Sequence, residues 1–228
     1  MSAVFENIKS QHEEIMHRIE EAAKRAHRQV HDLSLVAVSK VQPDERIQAM
    51  LKCGQTIYGE NRVQEAQARW GERFSAHKKE IELRLIGPLQ SNKIKDVIGL
   101  FDVVETLDRE KLLKGFAKQR EAGATLPRFY VQVNTGEESQ KAGLSLKALP
   151  GFIKTMREDY DIEPEGLMCI PPQKEAASPH FWLLKNLASD LGLTKLSMGM
   201  SADFETAIEM GATSIRVGSA LFGARDYS

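Results

Sequence analysis

The chain has 228 residues, 42% hydrophobic and 28% charged, a balance that suits one domain with a sizeable core. Its 31 basic and 32 acidic residues leave a net charge of -1, which excludes recruitment of nucleic acid or of an anionic membrane by a global field. The first thirty residues are heavily charged and no apolar run approaches about eighteen residues, so neither a secretory signal nor a membrane anchor is expected and the protein should be cytoplasmic.

Val4, Ile8, Ile15, Ile19, Ala22 and Ala26 recur near helical spacing among many charges, which predicts a long amphipathic helix within residues 1–30, docked on the main body. His27 and His31 have i,i+4 spacing there but no third ligand or acidic base, so they read as a solvated helix face rather than a zinc site. From Leu33 onward short β-branched runs alternate with amphipathic helices. The strands centre on Val36, Ile57, Leu85, Val103, Val131, Gly166, Leu196 and Ile215. Helices end at Gly54, Gly123, Gly192 and Gly211, each just before a strand, and this repeated junction marks β-α units. Apolar stripes such as Ile47, Met50 and Leu51, Leu112, Leu113 and Phe116, or Phe204, Ala207 and Ile208 give each helix one face to bury.

Eight such units, without a G-x-G-x-x-G or a P-loop, predict an α/β fold: a single (β/α)8 TIM barrel over residues 33–223 with an additional N-terminal helix, the whole chain 1–228 forming one domain. Asn134 to Leu149 reads as an unusually long β-to-α loop on the functional face. Cys53 and Cys169 sit in apolar segments without metal-ligand spacing and are expected to be buried and structural. No Ser-His-Asp or Cys-His arrangement stands out.

In a barrel the strand C-termini form the functional face. The apolar run Leu35-Val36-Ala37-Val38-Ser39 delivers Lys40 there, where desolvation lowers an amine's pKa and readies it for Schiff-base formation with a carbonyl. A strand followed by a plain surface lysine is the alternative. Asn61, Gly87 to Asn92, Asn134 and Met168 to Pro172 follow other strands as polar or glycine-rich turns. Ser201 is expected to cap a helix after the seventh strand, and Gly218 follows the eighth. Those two loops either hold a phosphate, as barrels commonly do, or are an ordinary cap and turn. Arg216 alternates with Ile215 and Val217 and should point into the barrel, toward a carboxylate or toward a ligand's ring nitrogen.

Leu35-Val36-Ala37-Val38-Ser39-Lys40, Tyr58-Gly59-Glu60-Asn61, Ile86-Gly87-Pro88-Leu89-Gln90-Ser91-Asn92-Lys93, Gly166-Leu167-Met168, Ser197-Met198-Gly199-Met200-Ser201 and Arg216-Val217-Gly218 through Phe222-Gly223 occur in that order. Together they closely resemble the pyridoxal phosphate homeostasis protein family, itself similar to the barrel domain of alanine racemase. The resemblance spans essentially the whole chain. It implies pyridoxal 5'-phosphate as cofactor, held as a Schiff base on Lys40, with a site comprising Lys40, Asn61, Met198, Ser201, Arg216 and Gly218. In it the phosphate lies near Ser201 and Gly218, and Arg216 faces the pyridine nitrogen. Arg84-Leu85 stands where many members carry a His-Phe pair, which puts in question any polar role of the third strand.

The family implies regulation of free cofactor without catalysis, and apo enzymes that use pyridoxal phosphate as partners. A monomer is expected, with a dimer as the alternative. A racemase of this type takes its second base from a tyrosine on an added domain, whereas here the barrel is followed only by a short tail with Tyr227, which is discounted as a base. The competing functions are an amino-acid racemase or decarboxylase, and a barrel scaffold without ligand. Within the long loop, Glu137, Glu138 and Lys141 lie between two glycines; the loop is expected to gate exchange, with Lys141 either a transient second amine or a solvated lysine.

Overall fold

The computed structural model describes residues 2–223. Eight parallel strands, β1 (Ser34–Val38), β2 (Ile57–Glu60), β3 (Glu82–Leu85), β4 (Val103–Leu107), β5 (Arg128–Val133), β6 (Gly166–Cys169), β7 (Lys195–Met200) and β8 (Ser214–Val217), close into a barrel in sequence order. All eight expected centres fall inside them. Closure is made by β8 against β1, with Leu35 opposite Ile215 and Val36 opposite Arg216. The four glycines at the helix-to-strand junctions take positive φ, from 71° at Gly192 to 106° at Gly211, a conformation that reverses the chain at little cost only without a Cβ.

The outer layer is α1 (Ala3–Arg25), α2 (Asp44–Lys52), α3 (Val63–Ala66), α4 (Ile94–Val97), α5 (Glu110–Glu121), α6 (Leu149–Glu158), α7 (Ala177–Asp190), α8 (Phe204–Glu209) and α9 (Ser219–Phe222). Among the described residues only the four-residue α9 follows β8, which leaves room in the ring between α8 and α2. α1 fills it, packing on α2, α8 and α9 and sharing their core through Ile8, Ile15 and Ile19. Polar contacts fix its pose: Arg18 Nε donates to Glu205 at 2.7 Å and lies over the Phe204 ring, and Arg28 donates to the Ile208 carbonyl at 2.9 Å, near the C-terminus of α8.

α1 is shorter than the 1–30 span expected for it. It stops at Arg25, and His27 turns to φ 53° before a single 3-10 turn at Val30–Asp32, so His27 and His31 share no helix face. Cys169 is buried as expected, and burial pushes its thiol up to about 12. Cys53 differs, being only partly buried where α2 ends. Among the described residues no helix is long and apolar enough to cross a membrane, and no three His, Cys, Asp or Glu are grouped to hold a metal.

Two strands carry a one-residue bulge. On β4, Val104 and Leu107 face Phe129 and Val131; on β7, Ser197 and Met200 face Ser214 and Arg216. Gly199 lies in the second bulge at φ 93°, where a Cβ would come within 2.5 Å of Ala207 Cβ. Both bulges lie in the C-terminal halves of their strands, toward the C-terminal mouth of the barrel.

Candidate functional site

At that mouth lies a cavity of about 310 Å³, at the lower end of the range usual for small-ligand sites. Its wall is collected from six strand ends: Lys40 after β1, Asn61 after β2, Ile86 after β3, Ile170 after β6, Met200 and Ser201 around the end of β7, and Gly218 after β8, with Arg216 of β8 itself. Of the six residues that the sequence nominated, five line this one cavity. Met198 does not. It is fully buried among the core residues, on the strand face opposite Ser197, and the bulge at Gly199 presents Met200 to the cavity instead.

Ser201 lines the cavity but is not a helix cap. α8 begins at Phe204 with Asp203 before it, and Asp203 closes a turn by accepting the Met200 amide at 2.6 Å. The bulge delays the helix. Freed from capping, Ser201 Oγ accepts the Gly218 amide at 3.3 Å and so ties the loops after β7 and β8 together. A Cβ on Gly218 would stand 3.4 Å from that of Val38, an ordinary contact on the cavity wall that both residues form.

Arg216 enters the barrel and is only 4% exposed. Its Nη1 donates to Ser197 Oγ at 2.6 Å and its Nη2 to the Cys169 carbonyl at 2.9 Å, with Glu105 Oε2 3.7 Å away. The orientation toward a carboxylate is found, since the guanidinium pairs with Glu105, and Arg216 also lines the cavity wall. Glu105 in turn accepts from Arg84 Nη1 at 3.0 Å, and Arg84 Nε donates to Glu82 at 2.6 Å. Burial works against the charge on Arg84, but the Glu105 and Glu82 carboxylates outweigh it and hold the guanidinium above its ordinary pKa. The third strand therefore does carry a polar role: Arg84 anchors a charged chain through the barrel interior.

A second chamber of about 250 Å³ adjoins the first and shares Asn61, Ile86 and Ile170 with it. Thr106, Gln132, Asn134 and Lys141 also line it. The long loop after β5 is thus on the mouth, folded back by a bridge from Val133 to Leu144 and by Asn134, whose side chain bonds the Glu138 backbone. Lys141 is ion-paired to Glu138 at 2.6 Å and donates to the Pro171 carbonyl at 3.3 Å. Tyr227 lies outside the described residues.

Glu60, Arg69, Glu105 and Ser197 did not stand out in the sequence as site residues. A usable signal was there for the two glutamates, because a carboxylate inside an apolar strand is buried only with a partner.

Residues 11–226 match the family model described as alanine racemase, N-terminal domain. The pyridoxal phosphate homeostasis protein of Pseudomonas aeruginosa is 38% identical over 232 residues, covering 100% of this chain and 98% of that protein. The chain belongs to the pyridoxal phosphate homeostasis protein family. A solved structure similar to it is PipY of Synechococcus elongatus with pyridoxal phosphate bound, 32% identical over 90% of this chain and 100% of that one, with a TM-score of 0.77. Alanine racemase from Corynebacterium glutamicum shares the fold alone, at 16% identity and a TM-score of 0.65, over 94% of this chain and 61% of the racemase. The family's barrel is the one found here, with the N-terminal helix in place.

Proposed function

We propose that this chain binds pyridoxal 5'-phosphate at the barrel mouth, attached to Lys40 as a Schiff base, and serves cytoplasmic homeostasis of that cofactor as a monomeric carrier or regulator without turning over a substrate. The observation that carries this reading is the convergence of Lys40, Arg216 and the Ser201–Gly218 junction on one cavity, in a chain whose relatives are named for that role. When bound, the cofactor supplies an aldehyde for amines and a ring that accepts electron density.

The chain's own groups fit it. Lys40 presents an amine, the joined loops after β7 and β8 offer the customary phosphate position of barrels, and Asn61 after β2 lines the same cavity. Arg216 would face the pyridine nitrogen. A guanidinium donates but cannot take up a proton, and Ser197 and the Cys169 carbonyl fix where it donates. With such a partner the nitrogen would stay unprotonated, which would weaken the electron sink that decarboxylation or transamination needs. That favours storage over catalysis. Apo enzymes that use the cofactor are the partners that would receive it.

The test is spectroscopic and chemical. Purified protein incubated with pyridoxal 5'-phosphate should absorb visible light, and borohydride reduction with peptide mapping should mark Lys40. A colourless protein, or a label elsewhere with Lys40 untouched, overturns the site. Efficient turnover of an amino acid overturns the carrier role.

A further inference from the structure

Val41 follows Lys40 directly and has φ 61°, in the left-handed region. A β-branched residue is poorly suited there because its Cβ crowds the backbone. Packing gives little in return, since Val41 is 50% exposed. The turn is held from its inner side. Arg69 Nη1 donates to the Ser39 carbonyl and Nη2 to the Gln42 carbonyl, each at 2.7 Å, so one guanidinium spans the Lys40–Val41 pair from the residue before it to the residue after it.

Arg69 is itself fixed by Glu60, whose Oε1 accepts from Arg69 Nη1 at 2.7 Å, from Ser39 Oγ at 2.7 Å and from Trp70 Nε1 at 3.2 Å. Glu60 is fully buried and Arg69 nearly so, and neither lines the Lys40 cavity. Arg69 and Trp70 reach this carboxylate together from Gln67–Arg73, a seven-residue stretch of π-helix continuing α3. Such stretches are rare and recur at functional sites, as does stored backbone strain.

We propose that Arg69, anchored by Glu60, is a positioning residue for Lys40: this bracket keeps Val41 left-handed and thereby sets how long an aldehyde stays attached to the Lys40 amine. The inference rests on the reading of Lys40 as the attachment point. Release is hydrolysis, in which water adds to the C=N carbon, the C–N bond breaks with its electron pair left on Nζ, Nζ takes up a proton and the aldehyde re-forms. No oxidant or reductant takes part. With the bracket open, Val41 relaxes out of its strained conformation and carries the amine away from the cavity.

The experiment measures cofactor release from loaded full-length protein, as loss of visible absorbance after dilution into excess phosphatase that destroys free pyridoxal 5'-phosphate. Arg69→Met should release about tenfold faster, the scale of one or two lost charge-assisted hydrogen bonds. Val41→Gly should stay within about twofold of wild type, because glycine takes the left-handed conformation freely. The double variant should return to within about threefold of wild type. A merely stabilising Arg69 predicts the opposite, a double variant at least as fast as Arg69→Met. Wild-type release by Arg69→Met, or no rescue by Val41→Gly, overturns the bracket. Should Arg69→Met fail to fold, Arg69→Lys carries the same comparison, since it keeps the charge and loses the fork. Borohydride mapping on each protein separates the two ideas. A label off Lys40 in wild type removes the attachment reading, whereas Lys40 labelled throughout with equal rates removes only the bracket.

Discussion

Glu105 and Arg216 sit 3.7 Å apart inside the barrel, joined by the Ser197 hydroxyl, which donates to the carboxylate at 2.6 Å and accepts from the guanidinium at 2.6 Å. Barrel interiors of this type are usually filled with branched apolar side chains. Here the apolar filling contains a small cluster of Val103, Tyr130 and Met168, and the charged chain from Arg84 through Glu105 to Arg216 runs beside it. A ligand at the mouth would therefore meet an arginine whose position is set by a fully buried carboxylate.

Glu105→Gln should be severe. It leaves two buried guanidiniums without their shared carboxylate, and breaking a buried pair in this way costs about 3–5 kcal/mol. Arg128→Ala is the control, because Arg128 is half-exposed and its pairs with Glu82 and Glu165 are worth about 1 kcal/mol or less. Urea unfolding of both variants checks the contrast. Similar losses would mean that Glu105 does not hold the chain together.

Glu82 links stability to pH. Burial alone would raise its pKa, but the Arg84 and Arg128 guanidiniums reverse this and hold the carboxyl below its usual value of 4.5. A depressed carboxylate stabilises the fold above the unfolded-state value, and the contribution is lost as pH falls through the lower folded value. Glu82→Gln should therefore cost about 1–2 kcal/mol at pH 7. Its unfolding curve should converge on that of wild type below pH 4.5. A difference that is the same at both ends of the titration would rule out this linkage.

The barrel itself was legible because its signals are local. Apolar runs, helical stripes and glycines at Gly54, Gly123, Gly192 and Gly211 each act within a few residues. Lys40 was legible for the same reason, as a charge at the end of an apolar strand. What escaped depends on register or on distance. Ser201 reads as a cap unless the extra residue at Gly199 is known, since only that residue moves the start of α8 to Phe204. Arg69 is invisible to a 3.6-residue period because a π-helix carries it to Glu60. Arg84 reads as an anomaly until the barrel closes and brings in Glu105 and Ser214, 21 and 130 residues away.

Gly199→Ala tests the bulge. The new Cβ would meet Ala207 Cβ at 2.5 Å from a backbone at φ 93°, so either α8 shifts outward or the bulge straightens. Overpacking of this kind costs about 1–3 kcal/mol. Because Met200 and Ser201 follow directly, cofactor affinity should fall along with thermal stability. A variant as stable as wild type, with unchanged affinity, would show that the bulge does not set the cavity wall.

Lys141 bears on how cofactor leaves. It lines the chamber next to the Lys40 cavity, across the shared walls Asn61, Ile86 and Ile170, and is tethered there by Glu138 at 2.6 Å. Its loop turns at Glu137, φ 49°, and at Gly143, φ 113°, so the segment between them is bounded by two left-handed residues. We expect Lys141 to act as a second amine on the route that hands cofactor to an acceptor, beside hydrolytic release at Lys40, with the loop gating exchange. The measurement is the rate of transfer to an apo acceptor enzyme, wild type against Lys141→Ala, with both proteins loaded equally. Transfer by the variant should slow about tenfold if the second amine lies on the exit path, and Glu138→Gln, which loosens the tether, should change the rate without changing loading. Equal rates in all three proteins would leave Lys141 as a loop lysine that holds Pro171 and Glu138 in place, and would return release to Lys40 alone.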